Sequence, residues 1–250
     1  MSARPRFTED ASRYTVVVAD DRSLVEEAQR LRHRVFAEEF GATLGGAPDG
    51  RDEDRFDAYC DHLVVRESLS GRAVGTYRVL SPECAARAGG YYSETEFDFT
   101  RLQSLRPRMA EIGRTCVEPA HRSGVVMLLL WSALARLAMD RGYEYLVGAA
   151  SVGLGQGGAN AAAVYRRIAA DGLSPESLRV IPRNPLPLDR LEPAGPATVP
   201  PLLRSYLGLG AWVCGEPAWD PDFGCADVPV LLALDRLDGR FARRVLGRAA

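Results

Sequence analysis

The sequence contains no lysine: all 31 of its basic residues are arginine, which excludes every mechanism that needs a catalytic lysine amine. Cysteine is also sparse. Five cysteines lie at wide, irregular spacing without a CxxC pair, a pattern that argues against a zinc site or a disulfide framework and predicts reduced thiols in a cytosolic protein. The net charge is only -2, so no overall basic field favours nucleic acid as a partner.

Long hydrophobic runs are missing as well. The most apolar window, residues 125–138, is interrupted by Ser132 and Arg136 and is shorter than the roughly 20 residues that cross a bilayer. The first ten residues are polar, which predicts that no signal peptide is present. We therefore expect a cytoplasmic protein, and peripheral contact with the inner face of the membrane remains an open alternative.

The composition is that of a folded globular chain, with 250 residues, 46% hydrophobic and 26% charged, enough for one large domain or two small ones. We predict an N-terminal arm over residues 1–12 and a single domain over residues 13–250. A proline-rich excursion at about 182–201 holds seven of the 16 prolines, which predicts irregular structure there.

Apolar spacing predicts alternating strands and helices, and hence an α/β fold with a mixed sheet. Ser23 and Glu26 form a capping-box pattern at the start of the first helix, and Ser70-Gly71 predicts a hairpin turn. Strands are predicted over 14–19, 61–66, 73–80, 109–117, 145–149, 211–214 and 228–234. Helices are predicted over 24–39, 124–141 and 160–170, with a short terminal helix.

The predicted strand MAEIGRTCV carries two charges where an apolar sequence is expected. Glu111 and Arg114 are costly in a buried strand unless they pair with each other or serve a cleft, and both interpretations stay open. A bulge at Gly113 would bring the two side chains nearer to one side of the strand. It would also free a backbone N–H for a developing oxyanion.

Three aspartates, Asp54, Asp57 and Asp61, lie among aromatic residues in the segment DEDRFDAYCDH. Carboxylates held among apolar side chains bind cationic amines, although a run of acids is also typical of a solvated surface. Further along, Arg122 and Gly124 lie at a strand-to-helix turn of the kind that binds phosphate. The glycine-rich segment 153–158 lacks the GK[ST] of a phosphate loop, and His121 lacks partners at metal-ligand spacing.

Taken in order, the segments LRHRVFAEEF, DEDRFDAYCDHLVV, GTYRVL and AEIGRTCV resemble a known family. They are similar to GNAT-fold N-acyltransferases of the ornithine-lipid and glycine-lipid synthase type, which are related to acyl-homoserine lactone synthases. The late stretch YLGLGAWVCGEPAWDPDFGCADVPVLL resembles the lipid branch and argues against the lactone synthases. The resemblance extends from about Leu31 to Leu246.

This resemblance implies a mixed central sheet flanked by helices, with a splayed strand pair that admits a pantetheine arm. It implies transfer of a long-chain (3-hydroxy)acyl group from acyl carrier protein, or from acyl-CoA, to the α-amine of an amino acid, most simply ornithine. The product would be a lyso-ornithine-lipid-type N-acyl amino acid, completed by a separate O-acyltransferase. No metal and no permanently bound cofactor are implied.

The resemblance also assigns roles to residues. The implied catalytic pair is Glu111 and Arg114. The implied substrate-binding residues are Arg34, Phe36, Asp54, Asp57, Asp61, His62 and Arg78. The implied donor-binding residues are Cys116, Val117, Arg122, Gly124 and Tyr165. The usual pyrophosphate loop survives only as Arg122-Ser-Gly-Val-Val, which favours a carrier-protein donor, received by a basic patch drawn from Arg136, Arg141, Arg166 and Arg167.

Two other functions fit the same sequence. One is an acetyltransferase that uses acetyl-CoA on a small amine, which differs only in the acyl chain length. The other is a non-catalytic protein of the same fold that binds acyl thioesters, against which the retained Glu111 and Arg114 argue.

Overall fold

The computed structural model describes residues 13–44, 49–155, 157–192 and 197–237. The predicted arm over 1–12 lies outside the described residues, as does the predicted terminal helix after residue 237. The chain divides into two compact units. Among the described residues, the first comprises 13–79 and 112–142, and the second comprises 80–111 and 143–237.

The regular elements follow the predicted order. The strands are β1 Tyr14–Val18, β2 Asp61–Glu67, β3 Ala73–Leu80, β4 Phe97–Asp98, β5 Met109–Val117, β6 Tyr145–Gly153, β7 Ile181–Pro182, β8 Trp212–Val213, β9 Ala218–Asp220 and β10 Cys225–Ala233. The helices are α1 Arg22–His33, α2 Pro82–Ala88, α3 Val125–Asp140, α4 Ala159–Gly172 and α5 Pro201–Gly208, and a π-helical segment, Arg34–Glu39, continues α1. Short 3-10 helices cover Asp57–Tyr59, Tyr92–Thr95, Thr100–Leu102, Arg106–Arg108, Pro119–His121, Glu176–Leu178, Leu188–Arg190 and Leu234–Arg236.

In the first unit, β1, β2 and β3 form an antiparallel series, with β2 in the middle. All eight residues of β3 are buried, as expected of an interior strand. Helix α3 packs on β1 and β2. A close approach of helix and strand requires Gly75, because a Cβ there would lie 2.4 Å from Val126 Cγ1.

The first helix begins earlier than the sequence predicts. Asp21 is its N-cap, and its Oδ1 accepts the N–H of Leu24 at 2.8 Å. Ser23 therefore lies inside α1, and the predicted capping box of Ser23 and Glu26 is wrong, because a carboxylate two residues upstream already satisfies the free N–H. The predicted extension to Glu39 is present as the π-helical segment, a geometry often found at functional sites.

In the second unit, the sheet is mixed. β6 pairs in parallel with β5 through three residues, ending at Glu111 and Val147. On its other edge, β6 pairs with β10 in antiparallel fashion from Tyr145 to Gly153, which explains why β6 is longer than predicted. β8 and β9 also pair with β10. The β5–β6 ladder is thus short, as the predicted splayed pair requires.

The remaining elements fit the sequence predictions only in part: β8 lies within its predicted range and β10 begins three residues early, whereas β4, β7, β9, α2 and α5 were not predicted. β3 and β5 have the predicted bounds, and β4 and β7 form a separate two-stranded sheet. Within the described part of the proline-rich excursion, regular structure is limited to short elements. None of the helices in the described ranges is both long and apolar enough to cross a bilayer.

Candidate active site

A buried arginine on α1 organises the acidic loop of the first unit. Arg32 is fully buried, and its Nε donates to Asp52 Oδ2 at 2.8 Å. Its Nη2 lies 2.9 Å from both carboxylate oxygens of Asp57 and also donates to the carbonyl oxygen of Asp52. Charged groups are buried in this way only when they are paired and hydrogen-bonded.

A second arginine reaches the same aspartates from β3. Arg78 Nη1 donates to Asp54 Oδ1 at 2.8 Å and to Asp57 Oδ1 at 3.3 Å. Burial alone would raise the pKa of Asp57, but Arg32 and Arg78 together hold it below its ordinary value. Burial likewise opposes the charge of Arg78, but Asp54 and Asp57 raise its pKa above the ordinary value. Asp57 and Arg78 therefore both stay ionised at neutral pH.

Arg114 is the third arginine of this group. Its Nε lies 3.3 Å from Asp52 Oδ2, and its Nη2 lies 3.4 Å from Asp54 Oδ2. Its φ is 49°, a left-handed conformation that costs a non-glycine residue about 1–3 kcal/mol. The irregularity predicted at Gly113 therefore lies one residue later, where the two carboxylates hold the guanidinium in place.

We call these six residues the charge cluster. Three carboxylates and three guanidinium groups balance in charge: Arg32, Asp52, Asp54, Asp57, Arg78 and Arg114. Four of them were predicted from the sequence as site residues. Arg32 and Asp52 were not, and Arg34 was predicted in their place.

The sequence does hold a signal for Arg32. Ala28, Leu31 and Val35 form the buried stripe of the helix, and Arg32 follows Ala28 by four residues, so it falls on the same apolar face. A charged residue on a buried stripe needs a buried partner of opposite charge. The acidic segment 52–57 is a part of the sequence that can supply one.

Asp61 and His62 begin β2 beside this cluster. His62 is buried, and its Nε2 lies 3.0 Å from the carbonyl oxygen of Asp57. Burial lowers the pKa of His62, so its ring is neutral at pH 7. Asp61 forms an ion pair with Arg141 at 2.5 and 3.1 Å and does not join the cluster.

Arg34 and Phe36 lie on the π-helical segment. The side chain of Arg34 is 39% exposed, and its Nη2 is 3.9 Å from Glu118 Oε1, whereas its buried Nε has no hydrogen-bond partner among the described residues. Phe36 packs on a hydrophobic cluster that includes Cys116. Burial raises the pKa of Cys116 to about 12, so this thiol remains protonated.

At the predicted phosphate-binding turn, the guanidinium of Arg122 is already hydrogen-bonded to other groups of the protein. Arg122 Nε donates to the carbonyl oxygen of Val117 at 3.0 Å. Its two Nη atoms each lie 2.6 Å from a carboxylate oxygen of Glu39, an arrangement in which the Glu39 hydrogen bond raises the pKa of Arg122. Gly124, with φ 91°, supplies the left-handed residue that starts α3.

Glu111 belongs to the second unit and is also buried. Its Oε2 accepts the N–H of Tyr92 at 2.6 Å, and its Oε1 accepts the N–H of Ser93 at 2.7 Å. Both donors lie at the start of the 3-10 helix Tyr92–Thr95. Two amide donors, one on each oxygen, fix the orientation of the Glu111 carboxyl group. In the same unit, Tyr165 is half-buried on α4, and burial raises the pKa of its hydroxyl.

Comparison with known proteins is consistent with this architecture. The model of the acetyltransferase (GNAT) domain family matches residues 31–132. Among solved structures, the CoA-dependent acyl-homoserine lactone synthase BjaI superimposes with a TM-score of 0.56 at 18% identity, covering 94% of this chain and 89% of that one. At this identity the likeness concerns the fold. It confirms the predicted GNAT architecture of a mixed sheet flanked by helices.

Two curated relatives are considerably more similar. The L-ornithine N(alpha)-acyltransferase of Brucella abortus is 33% identical over 242 residues, which are 90% of this chain and 86% of that protein. The L-ornithine N(alpha)-acyltransferase of Rhodobacter capsulatus is 34% identical over 256 residues, or 94% and 97%. The chain belongs to the L-ornithine N(alpha)-acyltransferase family and is an acyltransferase of the GNAT fold.

Proposed function

We propose that this enzyme transfers a long-chain (3-hydroxy)acyl group from a thioester to the α-amine of ornithine. The observation that carries the proposal is the identity of 33–34%, over at least 90% of the chain, to two relatives named for that activity. In the reaction, the amine nitrogen forms a bond to the acyl carbon and the carbon–sulfur bond breaks. The products are N-acyl ornithine and a thiol.

Glu111 is the proposed general base. An α-ammonium with a pKa near 8 is about one-tenth neutral at pH 7, which costs roughly 1.4 kcal/mol. The larger task is to remove the second proton as the amine attacks, and a positioned base contributes typically about 10²–10⁴ in rate. The N–H groups of Tyr92 and Ser93 fix the carboxylate of Glu111, which can accept the proton directly or through one water.

In this proposal, the carboxylates of the charge cluster hold its arginines in position. Asp54 and Asp57 already form ion pairs with Arg78, and Asp61 forms one with Arg141. A substrate amine would have to compete with these arginines for the carboxylates. We assign the acceptor's carboxylate to Arg114. The other residues that we keep as proposed members of the acceptor site are Arg34, Phe36, His62 and Arg78.

Groups on and after β5 are assigned to the donor. Backbone N–H groups from Gly113 to Cys116 stabilise the oxyanion of the tetrahedral intermediate, and Val117 and Gly124 border the arm of the thioester. Cys116 contributes its backbone and not its thiol, so no covalent acyl-enzyme forms. Tyr165, kept protonated by burial, is the proposed donor of a proton to the leaving thiolate.

Acyl carrier protein is the proposed donor. A CoA pyrophosphate approaching Arg122 would have to displace Glu39, which holds that guanidinium through two hydrogen bonds of 2.6 Å. An acidic carrier protein would instead use surface arginines, for which we propose Arg136, Arg166 and Arg167. The fourth predicted arginine, Arg141, would first have to leave its ion pair with Asp61. Because the product is amphiphilic, we place the reaction at the inner face of the membrane, followed by a separate O-acyltransferase.

Thioester cleavage by the purified protein tests this proposal. C16 acyl carrier protein, C16-CoA and acetyl-CoA are each supplied with ornithine, and thiol release is followed over time. We expect the highest kcat/KM with C16 acyl carrier protein, and a gain with C16-CoA in Glu39→Gln, which frees Arg122. Turnover with acetyl-CoA alone would favour an acetyltransferase. No ornithine-dependent cleavage with any donor would favour a non-catalytic thioester-binding protein.

A further inference from the structure

The second unit contains a cavity of about 250 Å³ that none of the predicted site residues lines. Acidic and aromatic side chains make up much of its wall: Tyr92, Glu96, Trp219, Asp220, Asp222 and Phe223. Three of these carry carboxylates. The lining also includes Arg183, whose Nε donates to the carbonyl oxygen of Glu94 at 2.8 Å.

The carboxylate of Asp220 is oriented by its own loop. Its Oδ1 accepts the N–H groups of Asp222 and Phe223 at 2.9 and 3.0 Å. Behind it, one carboxylate oxygen of Asp220, the Sγ of Cys225 and one carboxylate oxygen of Asp227 lie within 4.8 Å of one another. Burial raises the pKa of the Cys225 thiol, and Asp227 and Glu96 raise it further. The acidic side chains of the cavity therefore continue, through Asp227, into the interior of the unit.

This cavity is connected to the proposed base by a single residue. Tyr92 lines the cavity, and its backbone N–H donates to Glu111 Oε2 at 2.6 Å. Tyr92 therefore contributes both to the cavity lining and to the hydrogen bonds that orient the Glu111 carboxylate. Glu111 and the whole cavity lining belong to the same compact unit.

We infer that this cavity binds the side-chain ammonium of a diamino acid acceptor and so selects ornithine over neutral amino acids. The inference rests on the proposed function and deepens it. A cation with a short alkyl stem fits a wall that offers carboxylates for the charge and the rings of Tyr92 and Trp219 for the methylenes. The aspartates of the charge cluster are less suited to this role, because arginines already neutralise them.

Kinetic discrimination between ornithine and norvaline tests the inference, because norvaline has the same carbon chain without the terminal amine. The variants are Asp220→Asn, which keeps the oxygen that accepts the loop N–H groups, and Glu96→Gln. Asp189→Asn is the matched control, since that carboxylate is 79% exposed and lies outside the cavity lining. The measured quantity is kcat/KM for each amino acid with one acyl donor.

We expect the wild type and Asp189→Asn to prefer ornithine. We expect Asp220→Asn and Glu96→Gln each to lose about ten- to a hundred-fold of that preference, the range for one hydrogen bond to a charged group, with turnover of norvaline unchanged. Equal use of both amino acids by the wild type, or an unchanged preference in both variants, overturns the inference and leaves the acyltransferase proposal intact. If the wild type acylates neither amino acid, the proposed function itself fails.

Discussion

Replacing Arg32 with methionine should destabilise the enzyme more than any other single arginine substitution on α1. The guanidinium of Arg32 is fully buried and neutralises two carboxylates that are each only 4% exposed, Asp52 and Asp57. Methionine fills part of the volume but leaves both aspartates without this partner. Removing one member of a buried ion pair costs about 3–5 kcal/mol, so we expect Arg32→Met to lower the free energy of unfolding by that amount.

Urea unfolding at pH 7 measures the effect. With a slope near 2 kcal/mol per molar, the expected loss lowers the midpoint by about 2 M. Arg30→Met is the matched control on the same helix, because the side chain of Arg30 is 47% exposed and its ion pair is with the surface residue Glu26 at 3.3 Å. We expect the midpoint of this variant to stay near that of the wild type. The double variant Arg32→Met/Asp57→Asn should lose less than the sum of the two single losses. If Arg32→Met behaves like Arg30→Met, the charge cluster does not stabilise this fold.

Three further predictions concern single residues. The folded-state pKa of Asp57 lies below its ordinary value. Its stabilising contribution is therefore complete above about pH 4 and disappears as the pH falls through the folded-state pKa. In Asp57→Asn, the free energy of unfolding should fall less steeply as the pH is lowered over this range. Gly75→Ala, whose Cβ meets Val126 at 2.4 Å, should cost about 1–3 kcal/mol in urea unfolding, whereas Gly208→Ala, with nothing within 4 Å, should cost far less. Cys116, with a pKa of about 12, should resist iodoacetamide at pH 8, and Cys116→Ala should stay active; inactivation by that substitution would indicate an acyl-enzyme.

Local sequence patterns were enough to predict the main sheet strands. β3 and β5 have the predicted bounds because alternation and β-branched residues determine where a strand runs. The ends of β6 and α1, which depend on residues outside the element itself, were not predicted. The end of β6 at Gly153 depends on pairing with β10, which is distant in the sequence. The start of α1 depends on the side chain of Asp21, a local signal that was passed over in favour of Ser23.

The site was harder to predict because its charges are shared across long sequence separations. Arg32 pairs with residues 20 and 25 positions away, and Arg114 pairs with Asp54 at a separation of 60. The sequence placed acids and arginines in the right segments but not in pairs. The sequence left open whether the aspartates bind a substrate amine or form a solvated surface, and it did not show which arginines pair with them in the fold.

The cavity lining shows the same limit more strongly. Tyr92 and Glu96 lie far from Asp220 in the sequence, and only the folded second unit brings them together. The late stretch that contains Asp220 resembles a known family, but nothing in it predicted a binding cavity. A subsite of this kind is found only once tertiary contacts are known.

The measurement that tests the account most directly is tandem mass spectrometry of the product formed from C16 acyl carrier protein and ornithine. Wild type is compared with Glu111→Gln and with Glu144→Gln, a control at a half-exposed carboxylate paired with Arg108. The account predicts ornithine acylated on its α-nitrogen, formed equally well by Glu144→Gln and about 10²–10⁴ more slowly by Glu111→Gln. Acylation of the side-chain nitrogen, or full activity in Glu111→Gln, would contradict it.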